Sequence, residues 1–351
     1  MGLKDNLKLL YRRSVRAINQ SSYKKRFLNE LELFEKNELK NNNETYLNMI
    51  EAFCASGGKS NQEGADYLSR KYGRVDFSSL KDKSIFNLEK FDFTSIHESL
   101  NKNGWYILPQ RLPDEMIDQL LHFAKNEPCI IRPVDGDQDW NKKLSIIDLA
   151  HLQSILYSVP EIASINNPLI QKIAGDYVFL EIAQNYLNVE PIWDVTSLWW
   201  STNFSKKSDK NAAQWFHFDM DRIKWLKIFI YLTDVHVDNG PHTFVEGSHQ
   251  DGGIPMALLA KGYKRLSDAE VSRQFKPAKL KEFTAPKGTI LIEDTRGLHK
   301  GKNVTGSPRC LLQFQLSNSL FGASYAKSLI KDSSALKDIA NLSPRFLSNY
   351  L

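Results

Sequence analysis

The sequence predicts a mainly β protein with flanking helices, a barrel or double sheet of antiparallel strands of the jelly-roll kind, preceded by an N-terminal helical extension. Three observations carry this. From about residue 190 the apolar period moves toward two, in runs at Ile192–Asn203, Trp215–Asp219, Trp225–Leu232, His242–Glu246, Thr289–Glu293 and Arg309–Leu316. Turn signals part these runs, among them Asp238-Asn239-Gly240-Pro241, Glu246-Gly247-Ser248 and Lys287-Gly288. Before residue 190 helical spacing dominates instead, and many short strands separated by turns favour a closed or double-sheet β architecture.

Taken in order, residues 1–85 read as polar and helical, broken at Asn41-Asn42-Asn43 and Ser56-Gly57-Gly58. The net charge of +5 is concentrated here: residues 1–26 hold eight basic side chains against Asp5 alone, which leaves the remainder slightly acidic. Lys4, Lys8, Arg12 and Arg16 recur every fourth residue with Leu3, Leu7 and Leu10 on another side, a basic amphipathic helix. Such a helix can rest on an anionic membrane surface or a partner; the plainer reading is a solvated helix packed on its own protein. Phe93, Ile96 and Leu100 then have helical spacing, Gly104–Leu108 is a short strand, and a helix opens at Pro113 and runs through Phe123. Cys129–Leu144 is loop-like, and helices are expected around Leu152–Leu156 and Ile170–Leu187. Residues 86–351 form the β domain, in which Gly252–Lys281 is a charged, partly helical insertion covering the mouth.

Composition excludes several classes. The most apolar run, Trp225–Leu232, is too short to span a bilayer and carries Lys227. The N-terminus lacks the apolar core of a signal peptide, and Asn6 breaks the myristoylation pattern. Cys54, Cys129 and Cys310 form no paired spacing, which suits a reducing cytoplasm. A small-molecule substrate rather than nucleic acid is expected.

The chemistry centres on Trp215-Phe216-His217-Phe218-Asp219. On an extended segment positions i and i+2 share a face, so His217 and Asp219 present an imidazole and a carboxylate together. A facial iron site needs two His and one carboxylate, and His299, far downstream, is the candidate third ligand. If 2-oxoglutarate chelates the iron, its distal carboxylate needs a cation, and Arg309 stands ten residues beyond His299 with Leu311, Gln313 and Gln315 on the same strand face. Each residue also has a plain reading: His217 and Asp219 as a surface hydrogen-bonded pair, His299 as a loop histidine, Arg309 as a strand-end charge. Trp199, Trp200, Trp215 and Trp225 read as barrel core; Asp221, Arg222 and Lys224 as solvated; His236, His242 and His249 as loop and edge residues matching no compact metal motif.

Taken together, the His217/Asp219 pair, Tyr231-Leu232-Thr233-Asp234, Asn239-Gly240-Pro241 leading to Glu246-Gly247-Ser248-His249, His299 with Arg309, and Gly104–Leu108 followed by the Pro113 helix resemble the phytanoyl-CoA dioxygenase family over about residues 89–325. The resemblance implies a double-stranded β-helix, cupin-like, with Fe(II) on His217, Asp219 and His299 and 2-oxoglutarate anchored by Arg309. It implies a dioxygenase in which O₂ converts 2-oxoglutarate to succinate and CO₂ while an unactivated C–H bond of a metabolite or conjugate is hydroxylated. It also points to a polar cosubstrate contact on the preceding strand, Asn203 first and Gln214 second. Related halogenases have a small residue in place of the carboxylate; Asp219 favours hydroxylation, with desaturation, epoxidation and ring closure left open. Two positions depart from the family pattern: Glu246 stands where Pro is frequent, and His242 stands where an apolar residue is usual, placing an imidazole near the pocket. The competing readings are a non-catalytic jelly-roll binding protein attached by its basic helix, and a metal-dependent isomerase or hydrolase that leaves Arg309 without a role. The Pro133–Asn141 loop and the Gly252–Lys281 insertion are the expected selectivity elements.

Overall fold

The computed structural model describes residues 22–132, 144–209 and 212–351. Most of the basic stretch and the whole Pro133–Asn141 loop therefore lie outside the described residues. The chain opens with three helices, α1 (residues 22–35), α2 (Asn43–Ser56) and α3 (Lys59–Tyr72). The expected breaks are their caps. The Asn42 side chain accepts from the Glu44 and Thr45 amides, Thr45 Oγ1 accepts from the Asn42 amide in return, and Gly57 ends α2 at φ 67°. After α4 (Phe93–Asn103) comes β1 (Trp105–Ile107), then α5 (Asp114–Asn126), β2 (Cys129–Ile131), β3 (Leu144–Ser145) and β4 (Leu156–Val159).

Helices α6 (Glu161–Ile165), α7 (Pro168–Ala174) and α8 (Tyr177–Leu187) precede the central strands β5 (Ile192–Ser201) and β6 (Trp225–Tyr231). Beyond them lie β7 (His242–Val245), α9 (Met256–Leu259), α10 (Asp268–Ser272), β8 (Leu280–Phe283), β9 (Ile290–Glu293), β10 (His299–Gly301), β11 (Arg309–Ser317) and α11 (Lys337–Leu342). They build an eight-stranded antiparallel sheet, ordered β1-β9-β6-β11-β5-β4-β2-β3, and a three-stranded sheet, β10-β7-β8. Among the described residues no helix is long and apolar enough to cross a membrane.

Strand alternation gives the large sheet two different faces. Leu198 and Trp200, Leu226, Ile228 and Ile230, Ile290 and Ile292, and Cys310, Leu312 and Phe314 join one core with residues of α4, α5, α7 and α8. The opposite face carries Trp199 and Ser201, Lys227 and Phe229, and Arg309, Leu311 and Gln313, which line a cavity. The ladder keeps these in step: Arg309 pairs with Ser201, Leu311 with Trp199, and Gln313 with Phe229. Since both faces are covered, all nine residues of β11 are buried.

Three expectations are corrected. Leu152–Leu156 is not helical; Leu156 begins β4, which pairs with β5 through Tyr157 and Trp200 and buries alternate residues, the period of a strand. The helix expected over Ile170–Leu187 is two, because Gly175 ends α7 and the Asp176 carboxylate caps α8 at the Val178 amide. Trp215–Asp219 is no regular strand: it is tied by isolated bridges from Phe216 to Leu266 and from His217 to His299.

A second core joins α1–α3 to the rear of that segment. Phe27, Leu31, Phe53 and Leu68 cluster with Phe216, Phe218, Met220 and Ile223, and the Phe53 and Phe218 rings stack at 5.4 Å. Asn61 Nδ2 donates to the Ile223 carbonyl at 3.0 Å, fixing α3 to the same stretch. Truncation of the buried Phe218 in Phe218→Ala is expected to cost about 3–5 kcal/mol in urea unfolding. Val237→Ala, at a site 69 % exposed, is expected to stay within about 0.5 kcal/mol of the parent.

Candidate metal centre

The centre is assembled by backbone pairing. His217 N donates to His299 O at 2.9 Å and His299 N to His217 O at 2.8 Å, a hydrogen-bonded antiparallel pair that places both side chains on one face. Their rings lie 4.2 Å apart, centroid to centroid. Two residues on, Asp219 N donates to Thr295 O at 2.8 Å, which sets the carboxylate beside the imidazoles. Asp219 Oδ1 is 3.6 Å from His217 Nε2, and Oδ2 is 3.4 Å from His299 Nε2. Each Nδ1 lies 2.9 Å from a carbonyl, Trp215 O for His217 and Gly297 O for His299. With the proton held at Nδ1, each Nε2 offers its lone pair toward the same point, the orientation that a carbonyl accepting from Nδ1–H imposes on metal-ligating imidazoles.

Among the described residues these three form a group able to hold a metal ion, their ligand atoms all within 4.8 Å of one another. Two imidazoles and a carboxylate with the remaining directions open to a cavity fit a non-haem iron site. The electrostatics agree, because a ligand set must be deprotonated to bind. Burial, reinforced by the neighbouring His299, pushes the His217 pKa well below its ordinary value. Burial opposes the charge on Asp219, yet the Lys227 ammonium and the two imidazoles hold its carboxyl well below the usual range. Lys227 Nζ lies 2.7 Å from Asp219 Oδ2 and 3.2 Å from Asp221 Oδ2.

The cavity beside this cluster has a volume of about 270 Å³ and includes Trp199, Ser201, Gln214, His242, Arg309 and Gln313 in its wall. Arg309 is buried, donating from Nη1 to the Gly240 carbonyl and from Nη2 toward Ser201 Oγ at 3.5 Å. Its Nε has no partner and, among the described residues, no carboxylate pairs with it. Burial without a counter-ion pulls its pKa down from the ordinary guanidinium value. Gly240 is held at φ 69°, and a Cβ there would stand 2.5 Å from the Lys302 carbonyl, so this turn requires glycine.

Of the sequence-derived residues, His217, Asp219, His299 and Arg309 come together around one cavity. Asn203 does not join them: β5 ends at Ser201, and Asn203 is exposed in the bend beyond it. Ser201 and Gln214 reach the wall instead, Gln214 also accepting from the Asp209 amide at 2.7 Å. Arg222 and Lys224 are not solvated. Arg222 makes a buried double contact with Asp194, at 2.7 and 2.8 Å, and burial pulls the Lys224 pKa down to about 8 over the Tyr186 ring. His236 is exposed, and His249 is buried against the Asn101 carbonyl.

Residue-by-residue reading missed Lys227 and Glu293; Lys227 is a lone charge inside the apolar strand β6, which is the signal that would have found it, whereas Glu293 ends β9 next to Asp294 and gave no such signal. His242, read mainly as an edge residue, is buried in the wall with Nε2 2.6 Å from Glu293 Oε2, an approach oblique to the imidazole N–H. Burial pushes the Glu293 carboxyl up to about 8 and holds the His242 pKa well below its ordinary value, so at neutral pH neither side chain carries charge.

No protein-family model matches the chain, and no curated protein matches it. Solved structures do. EctD from S. alaskensis with 2-oxoglutarate and 5-hydroxyectoine matches at 18 % identity and TM-score 0.48 over 74 % of this chain and 90 % of that one. HygX from Streptomyces hygroscopicus with nickel, 2-oxoglutarate and hygromycin B matches at 14 % and 0.45, over 70 % and 94 %. The epimerase SnoN in complex with Fe³⁺, alpha ketoglutarate and nogalamycin RO matches at 16 % and 0.42, over 64 % and 82 %.

The raised Glu293 pKa has a definite consequence for stability. A carboxyl whose pKa rises on folding contributes stability below its unfolded pKa and loses it as pH climbs toward the folded value. Between pH 5 and pH 9 the parent is expected to lose on the order of 4 kcal/mol through this group. Glu293→Gln, which cannot ionise, is expected to flatten that decline in urea unfolding measured at both pH values.

Proposed function

We propose that this chain is an Fe(II)- and 2-oxoglutarate-dependent oxygenase on a double-stranded β-helix, resembling the phytanoyl-CoA dioxygenase family and hydroxylating a small molecule. One observation carries the reading: a His217/Asp219/His299 cluster opens onto the same cavity as a buried Arg309 that has no carboxylate partner among the described residues. Burying a cation without a counter-charge is costly, and a site that does so is complementary to an anion not supplied by the protein. Arg309 Nη2 lies 3.6 Å from where a Cβ on Gly301 would stand, two residues along β10 from His299. Two residues of strand span roughly 6.6 Å, comparable to the reach of a five-carbon diacid. An isomerase or hydrolase on the same metal would leave this guanidinium unexplained.

In this reading His217, Asp219 and His299 hold iron, and Arg309 with Ser201 and Gln313 receives the distal carboxylate of 2-oxoglutarate. Bound iron supplies the oxygen chemistry, in which O₂ converts 2-oxoglutarate to succinate and CO₂ and one oxygen enters a substrate C–H bond. The protein's part is geometric and electrostatic. Lys227 fixes the Asp219 carboxylate through a 2.7 Å contact, and Trp199, Phe229 and Leu311 make the wall apolar and keep water from the reacting centre. Asp219 occupies the ligand position itself, which favours hydroxylation over halide transfer.

Purified protein is expected to form succinate only when both Fe(II) and 2-oxoglutarate are present, with uncoupled turnover in the absence of substrate. His217→Ala or Asp219→Ala should abolish it, and succinate formation undiminished in either variant would sink the proposal. Arg309→Ala should raise KM for 2-oxoglutarate by about 30-fold or more, the cost of deleting one partner of a buried ionic contact. Arg309→Lys should restore only part of this, because a single ammonium cannot match a bidentate fork.

A further inference from the structure

One polar pair, His242 in the cavity wall and Glu293 buried behind it, has no part in the chemistry above. His242 opens β7 and pairs across the small sheet with Gly301 of β10. Its ring is clamped by three others: His299 at 5.5 Å and 22°, Phe229 at 4.9 Å and Phe283 at 6.4 Å. Glu293 backs the ring at Nε2, 2.6 Å away, and is itself 0 % exposed, with neither carboxyl oxygen in an aligned hydrogen bond. Since Nε2 is enclosed against Glu293, the ring nitrogen left to the cavity is Nδ1.

The same part of the cavity holds Arg309. The Gly240 carbonyl, two residues before His242, accepts from Arg309 Nη1, and Arg309 Nη2 stands over Gly301, the residue paired with His242. The guanidinium and the imidazole therefore reach one region from two different sheets, and Arg309 arrives with Nε unsatisfied. Packing alone does not call for histidine here. An apolar side chain would fill the space between Phe229 and Phe283 while leaving Glu293 buried without a polar neighbour, a costly arrangement.

We propose that His242, oriented by Glu293, donates Nδ1–H to the distal carboxylate of 2-oxoglutarate beside Arg309, so that the carboxylate is gripped from both sheets. The inference rests on the reading of this cavity as the 2-oxoglutarate site. His242 is thus a cosubstrate-binding residue and Glu293 a positioning residue acting through it.

The test compares two keto acids on the anaerobic Fe(II)-loaded protein by titration calorimetry: 2-oxoglutarate, and 2-oxovalerate, which keeps the keto-acid end and replaces the distal carboxylate with a methyl group. His242→Phe, which preserves ring packing, is expected to weaken 2-oxoglutarate about ten-fold or more, the range for a hydrogen bond to a charged group, and to leave 2-oxovalerate within about two-fold. His242→Asn, whose amide nitrogen falls near Nδ1, should retain most of the affinity. If His242→Phe does not fold, His242→Gln takes its place, since its amide falls near Nε2 and should lose the same ten-fold. Equal weakening of both keto acids, or of neither, overturns the clamp while the iron and Arg309 assignments stand. A parent protein that binds no 2-oxoglutarate overturns the underlying reading, and the clamp with it.

Discussion

The doubled backbone hydrogen bond between His217 and His299 is the joint on which the rest of the site depends. Neither residue lies in the large sheet. His217 belongs to a segment with isolated bridges only, and His299 opens a three-residue strand. Two short hydrogen bonds nevertheless make them directly opposed, and opposed residues of an antiparallel pair must project to the same side. Register then does the remaining work: Asp219 follows two residues later, and Gly301 two residues after His299 leaves room for the Arg309 guanidinium. A slip of one residue in this pairing would turn every one of these side chains to the other face.

The electrostatics of the cavity follow from the same enclosure. Lys227, Asp219 and Arg309 lie in the wall, with Glu293 buried behind it, where water cannot shield charge. Each answers differently. Lys227 keeps its charge because Asp219 and Asp221 lie within 3.2 Å, and their attraction outweighs the burial that would discharge it. Glu293, facing a neutral imidazole, takes up a proton instead. Arg309 can do neither, since a guanidinium does not deprotonate at ordinary pH and, among the described residues, has no carboxylate beside it. Its burial therefore costs stability that neither proton transfer nor a carboxylate among the described residues offsets.

How far the sequence revealed this depends on whether one residue or several must be known. The His217/Asp219/His299 cluster was legible as a candidate because metal chemistry restricts residue type and strand geometry restricts spacing, so His217 and Asp219 mark themselves, and the structure brings the three together. Arg309 was singled out by its place ten residues after His299, and alternation alone put Leu311 and Gln313 on its face. The caps at Asn42 and Gly57 likewise announced the helices they bound. Asn203 failed because its role assumed two more residues of β5, and a strand end is set by the neighbouring strand: β11 starts at Arg309, opposite Ser201, so no partner remains for Asn203. Lys224 and Arg222 failed because burial is a property of the tertiary neighbourhood; Arg222 is carried inside by Asp194, twenty-eight residues earlier. His242 and Glu293 failed as a pair. Only their proximity makes both tolerable.

The helices α1–α3 belong in the account of the metal centre for a mechanical reason. Along the ligand segment, Phe216, Phe218 and Met220 alternate with His217 and Asp219, so whatever packs on the first set locates the second. No sheet covers that rear face; Phe27, Leu31, Phe53 and Leu68 do, together with Leu258 and Leu266 from the region after β7. Gly64 of α3 fits so closely that a Cβ there would meet Phe27, Leu31 and Ile223 at 3.1–3.3 Å. Close-packed interiors transmit displacement rather than absorb it, and a metal site tolerates about half an ångström of ligand error. Helices α1–α3 therefore add no residue to the His217/Asp219/His299 cluster and still set the geometry in which those three side chains converge.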